Sequence, residues 1–267
     1  MIELEQVLPE EIERRSLEII TKELGDRTFP AGQEQVVKRV IHTTADFDYA
    51  DSLIFSDGAV EKALEALREG CTIVTDTNMG KAGVNKKSLH KMGGEVLCFM
   101  ADEDVAGKAK SDGTTRAAAS MEKAAGLGRD CIFAVGNAPT ALVRLYELIQ
   151  EGRLRPKLII GVPVGFVNVV QSKELILSLK DTPYIVARGR KGGSNVAAAV
   201  CNALIYQINR EQCENDNLHA LRTDHRLQRK KLPGNPGSFS EYRPNGLLRK
   251  NSALNSEAIR GLKGQMY

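Results

Sequence analysis

The chain has 267 residues, 42% hydrophobic and 27% charged, with a formal net charge of +3. That length and balance exclude a fibrous or wholly disordered chain and suffice to bury a core in one large domain or two small ones. No apolar run reaches the roughly 18 residues of a membrane-spanning helix.

The charge is unevenly spread. From Ile208 onward there are eleven Lys/Arg and six Asp/Glu, and the remainder is slightly acidic with 26 basic and 28 acidic residues. The basic excess therefore belongs to the tail and says little about what the folded body binds; nucleic acid and membrane are not expected partners. Five cysteines and four histidines form no CxxC pair and no metal-ligand spacing, so no bound metal is expected. Cys71, Cys98 and Cys131 lie in or beside apolar runs, as buried thiols of a reducing compartment do.

Residues 1–14 are acidic and helical in pattern, unlike a basic segment leading into an apolar one, and a cytoplasmic chain is expected. Pro9–Leu24 reads as an amphipathic helix ended by Gly25. Gly32–Ile41 reads as a second, running into His42. Ser56–Glu69 is a third, with Ser56 as N-cap, a stripe of Val60, Ala63, Leu64 and Leu67, and Gly70 as terminator.

Five short apolar runs follow: Thr72–Thr75, Val96–Phe99, Cys131–Val135, Leu158–Val162 and Tyr184–Ala187. They are rich in β-branched residues and most are bounded by Gly, Asp or Pro, the pattern of strands buried on both faces. Helical segments separate them, one from Asn85, one from near Asp112 through Ala125, then Pro139–Gln150, Asn168–Leu179 and Gly193–Ile208. This alternation predicts an α/β fold: a parallel sheet of five to six strands, helices on both faces, and helices ahead of the first strand. Residues 1–208 form the expected domain. Residues 209–267, where Asn, Arg, Lys, Gly and Pro accumulate, read as a mostly disordered basic extension with a weak helix around Ser256–Leu262.

Ligands of open parallel sheets bind beyond the carboxyl ends of the strands. Asp76–Gly80, Gly136–Thr140, Gly161–Val167 and Arg188–Asn195 occupy those ends. The turn carrying Gly193 and Ser194 opens a helix, where backbone N–H groups hold a carboxylate or a phosphate, or where the side chains simply cap the helix. Asn137 in Gly136-Asn137-Ala138-Pro139 is either a turn residue or a site residue. His42 suits proton donation near neutral pH, although a histidine at a helix end also serves as a plain dipole-compensating residue. No GxGxxG or GxxxxGK[ST] follows a strand, which argues against nucleotide binding.

Six strings in order then resemble the precorrin-8X methylmutase family over about residues 9–206. They are Glu13-Arg14-Arg15-Ser16, Arg39-Val40-Ile41-His42, Gly113-Thr114-Thr115-Arg116, Gly136 to Leu142, Gly161 to Val167 with Ser172-Lys173, and Gly189 to Ser194. The resemblance implies a cofactor-free isomerase of cobalamin biosynthesis. It would move a methyl group from C-11 to C-12 of precorrin-8 or cobalt-precorrin-8, giving hydrogenobyrinate or its cobalt counterpart. It implies His42 as the catalytic residue, Ser16 and Arg39 as substrate contacts, Arg116 as a partner of a substrate carboxylate, and a homodimer. Asn137, Gly193 and Ser194 complete the expected substrate-binding set, and Asp76–Met79 falls in a variable loop assigned only to the pocket wall. Two other readings are a non-catalytic tetrapyrrole carrier, which would use the same pocket without needing His42, and a Rossmann-like transferase using a nucleotide or S-adenosylmethionine.

Overall fold

A computed structural model describes residues 5–230, with side chains described as far as Gln212. The chain divides into two units, Met1–His219 and Ala220–Tyr267. The first unit carries the sheet and every element described below except the end of the last helix.

The strands are β1 (Leu53–Phe55), β2 (Thr72–Thr75), β3 (Val96–Leu97), β4 (Cys131–Val135), β5 (Leu158–Gly161) and β6 (Tyr184–Ala187). They form one sheet in the order β1-β6-β5-β4-β2-β3. Five are parallel, and β1 runs antiparallel along β6 with Ile54 opposite Val186. The α/β architecture expected from the alternation is present. The fully parallel sheet is corrected at its edge, because β1 is three residues long and leaves no periodic signature.

Strand side chains alternate between two cores, as period-2 geometry requires. Ile132 and Ala134 of β4, with Leu158 and Ile160 of β5, face a core closed by α1 (Ile12–Leu24), α2 (Gln33–Thr44), α4 (Ala59–Arg68) and α11 (Ser194–Lys230). Phe133 and Val135, with Ile159, face the other core, closed by α8 (Arg116–Ala125), α9 (Pro139–Gln150) and α10 (Val169–Leu177). The stripe expected for α4 is the buried one: Val60, Ala63, Leu64 and Leu67 are all in the core. Burying each of its large members contributes about 1.5–3 kcal/mol.

Three local expectations are corrected. Ser56 does not cap α4, which starts at Ala59 after Gly58 in the left-handed region. Its hydroxyl instead accepts from the Tyr184 N–H at 3.0 Å and finishes the β1–β6 edge. The helix placed from near Asp112 through Ala125 is α8, which begins only at Arg116 after Gly113 takes φ +63°, and α7 (Glu103–Ser111) ahead of it is a helix the sequence did not suggest. Asn78–Gly83 and Lys86–Lys91 are short helices, α5 and α6, where one segment from Asn85 was expected. A four-residue helix, α3 (Tyr49–Ser52), precedes β1.

The boundary placed at residue 208 falls within α11, whose helical backbone continues to Lys230. The rest of the expected extension, including Ser256–Leu262, lies outside the described residues. Among the described residues no helix is long and apolar enough to cross a membrane.

Candidate active site

Two groups of side chains carry the residues expected in the site. The first is built by α1 and α2. On α1, Ser16 shares a face with Ile20 and Leu24, four and eight residues on, and both of those are buried. On α2, Val36, Val37, Val40 and Ile41 are buried, and His42 follows them in the last turn. Packing of these faces brings Ser16 Oγ to 2.7 Å from His42 Nδ1. The helix ends there because Ala45 adopts φ 52° and its N–H returns to the Ile41 carbonyl at 2.7 Å. His42 thus sits at the carbonyl end of its helix.

His42 and Ser16 open onto a cavity of about 330 Å³ whose other walls include Ile12, Arg15, Ile19 and Phe47. Ile12 and Ile19 are exposed to 55% and 41%, so the apolar wall is open to a ligand face. Arg39, three residues before His42, points elsewhere. Its guanidinium donates to Glu13 at 2.6 Å and lies 5.0 Å over the Tyr206 ring, lining a smaller cavity with Lys38 and Arg210. Burial works to raise the Glu13 carboxyl, but the bond to Arg39 overrides it and leaves the group below its ordinary range.

The second group sits at the carboxyl ends of the parallel strands. Asp76, directly after β2, is buried, and its carboxylate accepts the N–H groups of Gly136 (2.9 Å), Asn137 (2.8 Å) and Ala138 (2.7 Å). Burial pushes this carboxyl above its ordinary range against those three donors. The clamp fixes the loop that presents the exposed Asn137. Gly136 must be glycine, since a Cβ there would stand 2.6 Å from Ser194 Cα and 2.8 Å from the Gly193 carbonyl oxygen. Ser194 Oγ meets Thr77 Oγ1 at 2.7 Å. Thr115 caps α8 through the Ala118 N–H and touches Thr140 Oγ1 at 2.8 Å, which sets the exposed Arg116 beside the start of α9.

One side chain links the groups. Lys191, in the turn after β6, donates to Asp46 and Asp48 at 2.6 Å each, just beyond the His42 helix. Those bonds hold Asp46 below its ordinary range and Lys191 above.

Of the residues expected in the site, Ser16 and His42 are in contact, while Asn137, Gly193 and Ser194 share the strand-end cluster with Arg116 at its rim. Arg39 stands apart, in the neighbouring cavity. Asp76, Thr77, Thr115 and Lys191 are structural members that the sequence reading left out or assigned only to a wall. An acidic residue at the end of a buried strand was the available signal for Asp76. Among the described residues no group of three or more His, Cys, Asp or Glu could hold a metal ion.

Comparison with known proteins decides what this arrangement belongs to. The family model described as precorrin-8X methylmutase matches residues 11–207. The chain belongs to that family. Its members are methylmutases, isomerases that move a methyl group within one molecule, and the carrier and nucleotide-dependent transferase readings give way to that activity. The cobalt-precorrin-8 methylmutase of Priestia megaterium is 46% identical over 198 residues, 74% of this chain and 88% of that relative. The cobalt-precorrin-8 methylmutase of Salmonella typhimurium is 44% identical over 208 residues, 75% of this chain and 96% of the relative. The crystal structure of precorrin-8x methyl mutase from Thermus thermophilus superposes with a TM-score of 0.68 at 40% identity, covering 73% of this chain and 96% of that one.

Proposed function

We propose that the chain converts precorrin-8, as its cobalt complex or metal-free, to hydrogenobyrinate or the cobalt counterpart in cobalamin biosynthesis, with His42 as proton donor. The observation that carries the role of His42 is its 2.7 Å contact with Ser16. A hydroxyl on Nδ1 fixes the ring and leaves Nε2 as the atom that can serve the substrate. In the proposed step the methyl group leaves C-11 with its bonding pair and forms a bond to C-12. A proton from His42 to the conjugated ring system makes C-12 electron-poor while the methyl moves, and it returns to the imidazole afterwards, so substrate and product are isomers. The protein's share is to hold the macrocycle in one geometry and supply that proton.

The remaining roles follow from placement. Arg116, exposed at the start of α8, suits a peripheral carboxylate, since a guanidinium pairs with carboxylates in bidentate fashion. Asn137, Gly193 and Ser194 offer polar and backbone contacts where a broad, flat ligand reaches the strand ends. Arg39 meets a substrate carboxylate only by exchanging it for Glu13. The names of the relatives at 46% and 44% identity favour the cobalt complex. A homodimer is supported by Phe166 and Val167, which are exposed to 82% and 78% beside the strand-end cluster. The cytoplasm is supported by the free, buried thiols of Cys71, Cys98, Cys131 and Cys201.

The test is incubation of the full chain with precorrin-8 and, separately, cobalt-precorrin-8, followed by absorbance and mass. A spectral change at constant mass with either substrate is expected. No change with both, from folded protein, overturns the reading.

A further inference from the structure

We infer that Lys173 is a positioning residue of the methylmutase, holding the turn that carries Gly193 and Ser194 by two of its backbone carbonyls. The inference rests on the reading that this turn meets the substrate. Lys173 lies on α10 and is wholly buried. Its Nζ donates to the Gly189 carbonyl at 2.8 Å and to the Lys191 carbonyl at 2.8 Å, one on each side of Arg190. The same turn is stitched to the β5 side by Gly193 N–H to Val162 O at 2.9 Å and Gly165 N–H to Arg190 O at 3.2 Å. From its outer face, the Lys191 side chain reaches Asp46 and Asp48 past the end of the His42 helix. A buried ammonium thus fixes from within the one turn that joins the strand-end cluster to the segment after His42.

A methionine of the same length would fill this space more cheaply, because a buried ammonium without a carboxylate carries a desolvation penalty. What lysine supplies and methionine does not is charge-assisted donation to two carbonyls at once. The charged groups around it are otherwise engaged. On α10 itself Glu174 pairs with Arg188, and on α9 Arg144 bonds Glu147. In the turn, Arg190 lies over Phe166 and Lys191 is held by Asp46 and Asp48. β5 and β6 carry no charged residue, and the Tyr184 hydroxyl donates to the Leu177 carbonyl. Burial alone pushes the Lys173 ammonium down to about 8. Below that pH the charge-assisted bonds are intact, and as pH rises through it they become ordinary amine bonds and the turn is held less firmly.

The test uses the full chain and its corrin product, titrated by absorbance at pH 7 with the parent, Lys173→Met and Ser194→Ala, together with kcat and KM. Lys173→Met is expected to weaken product binding and raise KM about tenfold, with kcat within about threefold. Parental affinity should fall about threefold as pH rises through about 8, a step absent in Lys173→Met. Unchanged binding by Lys173→Met beside weakened binding by Ser194→Ala overturns the role of Lys173 alone. Unchanged binding by both overturns the reading of the turn and the inference with it. Should Lys173→Met fail to fold, Lys173→Gln, which shortens the side chain and cannot donate to both carbonyls as the ammonium does, decides: weakened product binding supports the role, and parental binding overturns it.

Discussion

Ser16 Oγ lies 2.7 Å from His42 Nδ1, across 26 residues of sequence and between two helices. Neither residue is remarkable in composition or spacing; their contact follows from the packing of the α1 face bearing Ile20 and Leu24 on the α2 face bearing Val36 and Val40. The catalytic assignment therefore depends on a helix–helix interface.

Ser16→Ala should lower kcat about tenfold, the loss of one hydrogen bond of about 1–1.5 kcal/mol, with the fold retained. Steady-state turnover checks this. An unchanged kcat would show that Ser16 does not hold the imidazole.

The two arginines should behave differently. Arg116→Ala, at an exposed helix start, should raise KM about tenfold with little change in kcat. Arg39→Ala should act mainly on stability, by about 1–2 kcal/mol, because the partners it loses are Glu13 and the Tyr206 ring. Urea unfolding beside kinetics separates the two. A large KM effect from Arg39→Ala with normal stability would mean that it exchanges Glu13 for substrate.

Asp76→Asn should destabilise the chain by about 2–3 kcal/mol and raise KM. A single amide oxygen cannot accept on both sides as the carboxylate does, and the new NH₂ would face an N–H donor. Equilibrium denaturation reads the first effect, and parental stability would show that the loop holds itself.

Much of the fold was legible because its signals are strong. The four buried β-branched runs that became β2, β4, β5 and β6, and the stripe of α4, declare themselves by periodicity and burial. What escaped were elements too short to have a period, the three residues of β1 and Asn78–Gly83, half of whose character is glycine and small polar side chains, together with α7, which buries only Val105 and Ala109 and so shows no apolar stripe. Ser56 looked like a helix cap because a serine before an apolar stripe usually is one, and only tertiary pairing reveals that its hydroxyl serves Tyr184. In the site, the family strings named His42 and Ser16. Lys173 and Lys191 lie within those strings without a role, because they, like Asp76, act through backbone groups 16 to 62 residues distant or through ion pairs across 143 and 145 residues, which no local pattern encodes.

Removal of residues 231–267 should leave turnover unchanged, since the family match ends at residue 207 and relatives align almost completely without that stretch. Activity of the truncated chain measures this directly. A folded but inactive truncation would assign the tail a role in catalysis.

The most direct measurement of the central claim is a crystal structure of the chain with its corrin product bound. The imidazole of His42 should keep Nδ1 on Ser16 and direct Nε2 at the macrocycle, in contact or through one water. An imidazole turned away from the ring, with no water path to it, would contradict the proton-donor mechanism.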